Sequence, residues 1–179
     1  MKPKETLARS DVFLAKRNLA LEAIVVGGAA LGLLDVISRE TRDCDILHPK
    51  LSKESRDDAA EFAAQVRAQG DALADDWLNN GPISLAEVLP EGWRDRVQTA
   101  FEGRAVRLFA LGRTDMLRSK LFALCDRAID LQDCIALAPN HEELKVVAPW
   151  VEAQDANVDW PAHVRATLDD LQRRLGRGV

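Results

Sequence analysis

Two stretches decide the fold: Ala23-Ile24-Val25-Val26-Gly27-Gly28-Ala29-Ala30, and Asp43-Cys44-Asp45-Ile46-Leu47-His48, which begins fifteen residues after the second glycine. The β-branched run Ile24-Val25-Val26 predicts a strand that stops at the glycine pair. Residues 29–36 then read as a short helix, and residues 43–48 as a second strand closed by Pro49. Glycine lets a backbone come close to a ligand, and free N–H groups at a helix start favour phosphate. Two adjacent glycines alone are more often a tight turn. Asp43 and Asp45 are two apart on the predicted strand, so their carboxylates share a face, about 6.5 Å apart at the backbone. That spacing suits a shared metal, because Mg²⁺ takes a couple of carboxylates together with phosphate oxygens. Cys44, between them, is expected to turn into the core.

Outward from this centre, residues 7–21 place Leu7, Val12, Phe13 and Leu19 at roughly helical spacing. Ser52 is placed to cap a helix that runs to about Gln69 and is stopped by Gly70. Asn79-Asn80-Gly81-Pro82 and Pro90-Glu91-Gly92 read as turns, and residues 105–111 alternate as a strand does. From Thr114, read as an N-cap, to Ala138 there is no Gly or Pro. Leu117, Leu121, Leu124, Ala128, Leu131 and Ile135 make one apolar stripe there, on one long helix or two abutting ones. Two more helices are expected over residues 141–153 and 161–175, the second with Pro161 in its first turn. The pattern is that of an α/β (α+β) chain: a mixed sheet flanked by helices, then a helical C-terminal part.

The chain has 179 residues, 47% of them apolar, enough for one core and too few for two comfortable ones. A net charge of −5 and 30% charged residues describe an ordinary soluble surface, and no apolar run reaches the about 18 residues that a membrane span needs. The basic N-terminus is followed by an amphipathic stretch rather than the apolar core of a secretion signal. Cys44, Cys125 and Cys134 are odd in number and lack metal-ligand spacing, and His48, His141 and His163 are scattered, so reduced thiols in a cytoplasm are expected and a zinc site is not. Residues 92–127 hold eight basic side chains (Arg94, Arg96, Arg104, Arg107, Arg113, Arg118, Lys120 and Arg127) against four acidic ones. Such a segment either faces a polyanion or is a solvated face, and the solvated face is the reading preferred.

Taken together, Val25-Val26-Gly27-Gly28-Ala29-Ala30 and Arg39-x-Thr41-x-Asp43-x-Asp45-Ile46-Leu47 resemble the signature of the DNA polymerase β-type nucleotidyltransferase superfamily. They are most similar to its small bacterial branch with Gly-Gly where many relatives carry Gly-Ser, a branch that includes toxins of abortive-infection and toxin–antitoxin systems. The similarity continues through Trp77-Leu78-Asn79-Asn80, Leu89-Pro90-Glu91-Gly92 and Lys120-x6-Arg127-x2-Asp130-x2-Asp133, and covers residues 21–137. It implies a nucleotidyltransferase core over residues 1–113 and a helical subdomain over 114–179 packed on it as one globular unit.

The resemblance assigns catalysis to Asp43, Asp45, Lys120 and Asp133, with Asp43 and Asp45 as metal ligands. It assigns nucleotide binding to Gly27, Gly28, Arg39, Thr41, Lys120, Arg127 and Asp130. It implies Mg²⁺ or Mn²⁺ as cofactor, a nucleotide triphosphate as substrate, RNA or tRNA as an acceptor, and a cognate antitoxin as a protein partner. One departure stands out: many relatives carry a third metal-binding carboxylate on a later strand, and the strand expected at 105–111 has Arg107 and no acid.

The late motif tests itself geometrically. At about 100° per residue, Arg127 lies about 20° from Lys120, Asp130 about 80° away and Asp133 about 140° away. Asp133 joins Lys120 only if the helix breaks, and the assignment therefore predicts a bend near residues 127–131. Arg39 is equally a partner of a helix C-terminus, Thr41 leads into the strand and orients Asp43, and Trp77, Trp93, Trp150 and Trp160 read as packing residues beside turns.

Three accounts of function follow from the sequence: an Mg-dependent enzyme moving an NMP from an NTP to an acceptor hydroxyl, a catalytically weakened nucleotide- or partner-binding module of the same fold, and a helical interaction domain in which Asp-x-Asp is coincidental.

Overall fold

The computed structural model describes residues 1–176 and divides into two compact units, Met1–Gly112 and the chain from Arg113 onward. The architecture is mixed α/β: a five-stranded mixed sheet lies in the first unit, and the second is helical. No helix among the described residues is long and apolar enough to cross a membrane.

The first unit opens with α1 (Pro3–Lys16), where Pro3 occupies the first helical position, as its missing N–H permits. Its inward stripe is Pro3, Leu7, Ser10 and Phe13. Val12 and Leu19, expected inside, are 53% and 38% exposed. Val12 is five residues from Leu7, about 140° round the helix, and Leu19 lies beyond the helix end. Asp11, on the same helix, accepts the N–H groups of Ala105 and Val106 at 2.7 and 2.8 Å through Oδ1.

Strand β1 (Leu21–Val26) is buried over its last four residues and passes directly into α2 (Gly27–Leu33), so the glycine pair forms the first helical turn rather than a separate turn before it. β2 (Cys44–His48) runs antiparallel to β1, with Val26 opposite Asp45. After it, α3 (Lys53–Ala68) starts at the Ser52 cap, whose Oγ accepts the Ser55 N–H at 3.0 Å, and it buries Ala59, Phe62, Ala63 and Val66 at helical spacing. Gly70, just beyond its end, adopts φ +95°.

Three elements were not legible as such. Leu78–Asn79, quoted in the sequence for the family similarity and for the turn that Asn79 opens, forms a two-residue strand, β3, parallel to β2. A short helix, α4 (Leu85–Val88), follows. Gln98–Glu102 forms the edge strand β4, antiparallel to β5 (Val106–Ala110), which is itself parallel to β1. The sheet order is β3-β2-β1-β5-β4. β4 shows no buried residue, which explains why its hydrophobic pattern is weak.

In the second unit, residues 114–138 form two helices rather than one: α5 (Arg113–Arg127) and α6 (Leu131–Leu137). The break falls at Ala128 and Asp130, which adopt φ of +54° and +68°, in the bend expected for the late motif. Thr114 sits inside the first turn of α5 rather than capping it. α7 (His141–Glu152) begins with a reciprocal box in which Asn140 Oδ1 accepts the Glu143 N–H and Glu143 Oε2 accepts the Asn140 N–H. α8 (Trp160–Gly176) buries Trp160, Val164, Leu168 and Leu171. Arg113 ties this unit together by donating to the Leu137 carbonyl at 2.9 Å and pairing with Glu143.

Candidate active site

Asp45 stands at the crossing of three strands: its backbone register faces Val26 on β1 and Asn79 on β3. Gly27, immediately after Val26, has φ +71°, and a Cβ placed there would lie 2.9 Å from Asp45 Oδ2. On the other side, a Cβ on Gly81 would lie 3.7 Å from Asp45 Oδ1. The carboxylate is thus flanked by two backbones that come close because neither carries a side chain. Gly28 meets the next layer, since a Cβ there would lie 3.0 Å from Thr41 Cγ2 and 3.5 Å from an Arg39 guanidinium nitrogen. Thr41 is buried, and its hydroxyl donates to the Asp43 carbonyl at 3.2 Å, fixing the approach to β2 in the way its position in the sequence suggests. Gly27, Gly28, Arg39, Thr41, Asp43 and Asp45 are therefore brought to one corner of the sheet, at the C-terminal end of β1.

Asp43 precedes β2 by one residue and is half-buried; its carboxylate has no hydrogen-bond or ion-pair partner among the described residues. Cys44 is fully buried between the two acids, and burial, with the two negative charges beside it, pushes its thiol far above the ordinary range. Two hard oxygen donors on either side of an inert thiol suit Mg²⁺ or Mn²⁺ completed by phosphate oxygens rather than a cation caged by protein. Among the described residues no group of three or more His, Cys, Asp or Glu side chains is arranged to hold a metal.

The sheet explains why a third acid is missing. Phe109 is the partner of Ile24, which shares its face with Val26 and hence with Asp45, so the β5 residues on that face are Arg107, Phe109 and, just past the strand end, Leu111. The two nearest the corner are apolar. Arg107 lies at the far end, within 3.6 Å of Glu22 and 3.1 Å of Glu102.

Two neighbours of Asp45 escaped the sequence reading as site residues. Asn79 Oδ1 accepts the Gly81 N–H at 2.6 Å, holding the loop against the acid. Asn80 clamps the same loop to β2, donating to the Ile46 and Pro49 carbonyls at 2.9 and 3.1 Å and accepting the Leu51 N–H at 2.6 Å. The signal was the Asn-Asn-Gly run directly after buried Trp77-Leu78: consecutive asparagines whose amides satisfy backbone groups around a tight corner.

Within the second unit, the α5–α6 break brings Lys120 to Asp133 at 2.7 Å and to Asp130 at 3.1 Å. Lys120 and Asp133 are almost fully buried, at 4% and 1% exposure. The ammonium donates a hydrogen bond to Asp133 and is ion-paired with Asp130 as well. Arg127 does not join them; it is exposed, 3.5 Å from Asp126. The remaining thiols of this unit, Cys125 and Cys134, are also buried, which pushes them up to about 11 and about 12.

The tryptophans do pack. Trp77, Trp93 and Trp160 are buried, and their indole N–H groups donate to the carbonyls of Ala59, Ala86 and Val151. In the basic segment, Arg94 lies over the Trp93 ring, Arg96 donates to the Glu91 and Pro90 carbonyls, and Arg107, Arg113, Arg118, Lys120 and Arg127 each have a carboxylate partner. Most of that charge is spent within the fold, as the solvated-face reading requires.

The glycine corner and the Asp-x-Asp strand that carry the resemblance to nucleotidyltransferases meet on one mixed sheet. The chain belongs to the family described as nucleotidyltransferase of unknown function (DUF6036), whose model matches residues 6–138. No match was found among curated proteins, nor among solved structures.

Proposed function

We propose that the protein is a Mg²⁺- or Mn²⁺-dependent nucleotidyltransferase that moves an NMP from an NTP to the 3′ hydroxyl of an RNA such as tRNA, in a toxin-like role countered by a cognate antitoxin. The observation that supports this most is the convergence of Asp43, Asp45, Gly27 and Gly28 on one corner of the sheet, with Asp45 enclosed by glycine backbone. A divalent cation between Asp43 and Asp45 would neutralise triphosphate charge and that developing on the attacking and leaving oxygens. The glycines let the triphosphate lie against the backbone, and Arg39 and Thr41 border it. The acceptor oxygen bonds to the α-phosphorus as the bond to the α,β-bridging oxygen breaks; pyrophosphate leaves with that electron pair, and the hydroxyl proton passes to an aspartate carboxylate and on to water. Within the second unit, Asp130 and Asp133 hold the buried Lys120 ammonium in place, and Arg127 is an exposed positive charge.

The test is incubation with each α-labelled NTP and total RNA, in Mg²⁺, in Mn²⁺ and in chelator. Label on RNA is expected with either metal and not in chelator, and Asp43→Asn abolishes it while leaving unfolding unchanged, because the amide fills the same volume. Turnover retained in Asp43→Asn removes the reading. The weakened-module reading draws on the apolar Phe109 and Leu111 on the β5 face that Asp45 shares; it predicts metal-dependent NTP binding with no release of pyrophosphate.

A further inference from the structure

Asn79 stands beside Asp45 in the parallel β2–β3 ladder, so the two side chains leave the sheet on the same face, the one that Asp43 shares. The strand is held there by the Cys44 N–H, which donates to the Trp77 carbonyl at 2.6 Å, and by the Asn80 clamp on β2. The Asn79 amide is fixed as well. Its Nδ2 donates to the Asp76 carbonyl at 3.4 Å and its Oδ1 accepts the Gly81 N–H at 2.6 Å, so the oxygen is the end that lies toward Gly81.

A Cβ on Gly81 would stand 3.0 Å from that oxygen and 3.7 Å from Asp45 Oδ1. Apart from the residues next to Gly81 in the chain, no other atom among the described residues comes within 4 Å of the point. Two oxygens thus border a space of one carbon's size, which the absence of a side chain at residue 81 leaves open. Both are hard acceptors, and the amide oxygen keeps a second lone pair after accepting the Gly81 N–H. Mg²⁺ and Mn²⁺ take carboxylate and carbonyl oxygens alike. The charge also fits: two carboxylates already balance a divalent ion and a triphosphate adds more negative charge, so a neutral amide contributes a ligand without further repulsion.

We infer that the Asn79 amide oxygen is a third protein ligand to the divalent cation held by Asp43 and Asp45, supplied from β3 rather than β5, and that Gly81 keeps the approach to it open. This rests on the nucleotidyltransferase reading and adds to it a metal ligand of a kind that a search for acids, histidines and cysteines does not find.

Electron paramagnetic resonance of Mn²⁺ bound to the full chain tests it, with Mn²⁺ alone and with the α,β-methylene analogue of each NTP. The protein is made with asparagine carrying ¹³C at the side-chain carbonyl. Wild type binds Mn²⁺ and shows, by electron–nuclear double resonance, a ¹³C coupling from a directly ligated asparagine. Asn79→Asp keeps an oxygen for both the Gly81 N–H and the ion, so it still binds Mn²⁺ but loses that coupling. Asn79→Ala weakens Mn²⁺ binding about tenfold or more. Gly81 has no left-handed φ, so Gly81→Ala adds bulk alone and weakens binding by filling the space. The wild-type coupling needs no variant to fold, so it decides the matter even where Asn79→Ala does not. Mn²⁺ that wild type binds and Asp45→Asn loses, with no asparagine coupling, overturns the inference and leaves the nucleotidyl transfer reading standing; so does wild-type Mn²⁺ affinity in a folded Asn79→Ala. No Mn²⁺ binding by wild type with any analogue overturns both.

Discussion

Replacing Gly27 by alanine separates the two things that glycine does at this corner. Its φ of +71° costs an L-residue about 1–2 kcal/mol. The added Cβ would also sit 2.9 Å from Asp45 Oδ2, too close to persist, so the carboxylate must turn off its preferred rotamer at a further cost of roughly 0.5–1.5 kcal/mol. Two other glycines isolate the terms. Gly70 has φ +95° with nothing within 4 Å of a built Cβ, so Gly70→Ala carries the backbone term alone. Gly28 shows no left-handed strain but meets Thr41 Cγ2 at 3.0 Å, so Gly28→Ala carries crowding alone, about 1 kcal/mol at a buried neighbour. Expected losses are therefore roughly 1.5–3.5 kcal/mol for Gly27→Ala and roughly 1–2 kcal/mol for Gly70→Ala. Hydrogen exchange of the β1 and β2 amides measures them in the unit that holds these residues. Binding divides the variants more sharply: displacing Asp45 weakens Mg²⁺-dependent NTP binding about tenfold or more in Gly27→Ala, whereas Gly70→Ala binds as wild type. Identical stability and identical NTP affinity in Gly27→Ala and Gly70→Ala would refute the idea that Gly27 exists to make room for Asp45.

Lys120→Met leaves Asp133 buried opposite an apolar side chain and is expected to cost about 3–5 kcal/mol in urea unfolding; the double variant Lys120→Met, Asp133→Leu recovers most of that loss, and failure to recover it would show that the pair is not the brace of the α5–α6 corner. Asp11 contributes a pH-dependent term. Burial raises its pKa, but the N–H groups of Ala105 and Val106 lower it further, and the net result is below the ordinary value of 3.8. A depressed folded-state pKa stabilises the native chain above the unfolded value and is lost as pH falls through the folded one. Acid titration followed by circular dichroism should therefore show a stability difference between wild type and Asp11→Asn that is full at pH 6 and shrinks below about pH 4; a gap unchanged at pH 3 contradicts this.

Much of the site was legible because it is local. The run Ile24-Val25-Val26-Gly27-Gly28 and the alternation Asp43-Cys44-Asp45 each encode their geometry within a few residues, and pairing of two adjacent strands brings them together. The α5–α6 break was legible for another reason: a single geometric demand, that Asp133 reach Lys120, had one solution, and the chain meets it with left-handed Ala128 and Asp130. What escaped depends on partners distant in sequence. Leu78–Asn79 is a strand only because Cys44 and Asp45 lie beside it, and Gln98–Glu102 only because β5 does; two residues, or an exposed edge, carry too little periodicity to announce themselves.

The same register gives the missing third carboxylate its physical content. The positions on β5 that share a face with Asp45 near the corner are Phe109 and Leu111, so an acid was not merely unrecognised there; the place is filled by carbon. Placing one back is then an informative gain-of-function experiment. Phe109 is only half-buried, so Phe109→Asp costs part of a ring's burial and leaves the carboxylate partly hydrated rather than sealed in the core. If two acids limit the chemistry, Phe109→Asp raises Mg²⁺ affinity in isothermal titration and speeds pyrophosphate release. If Asp43 and Asp45 with substrate phosphates already complete the site, the variant loses stability and gains neither, and unchanged Mg²⁺ affinity in a folded Phe109→Asp protein would sink the first alternative.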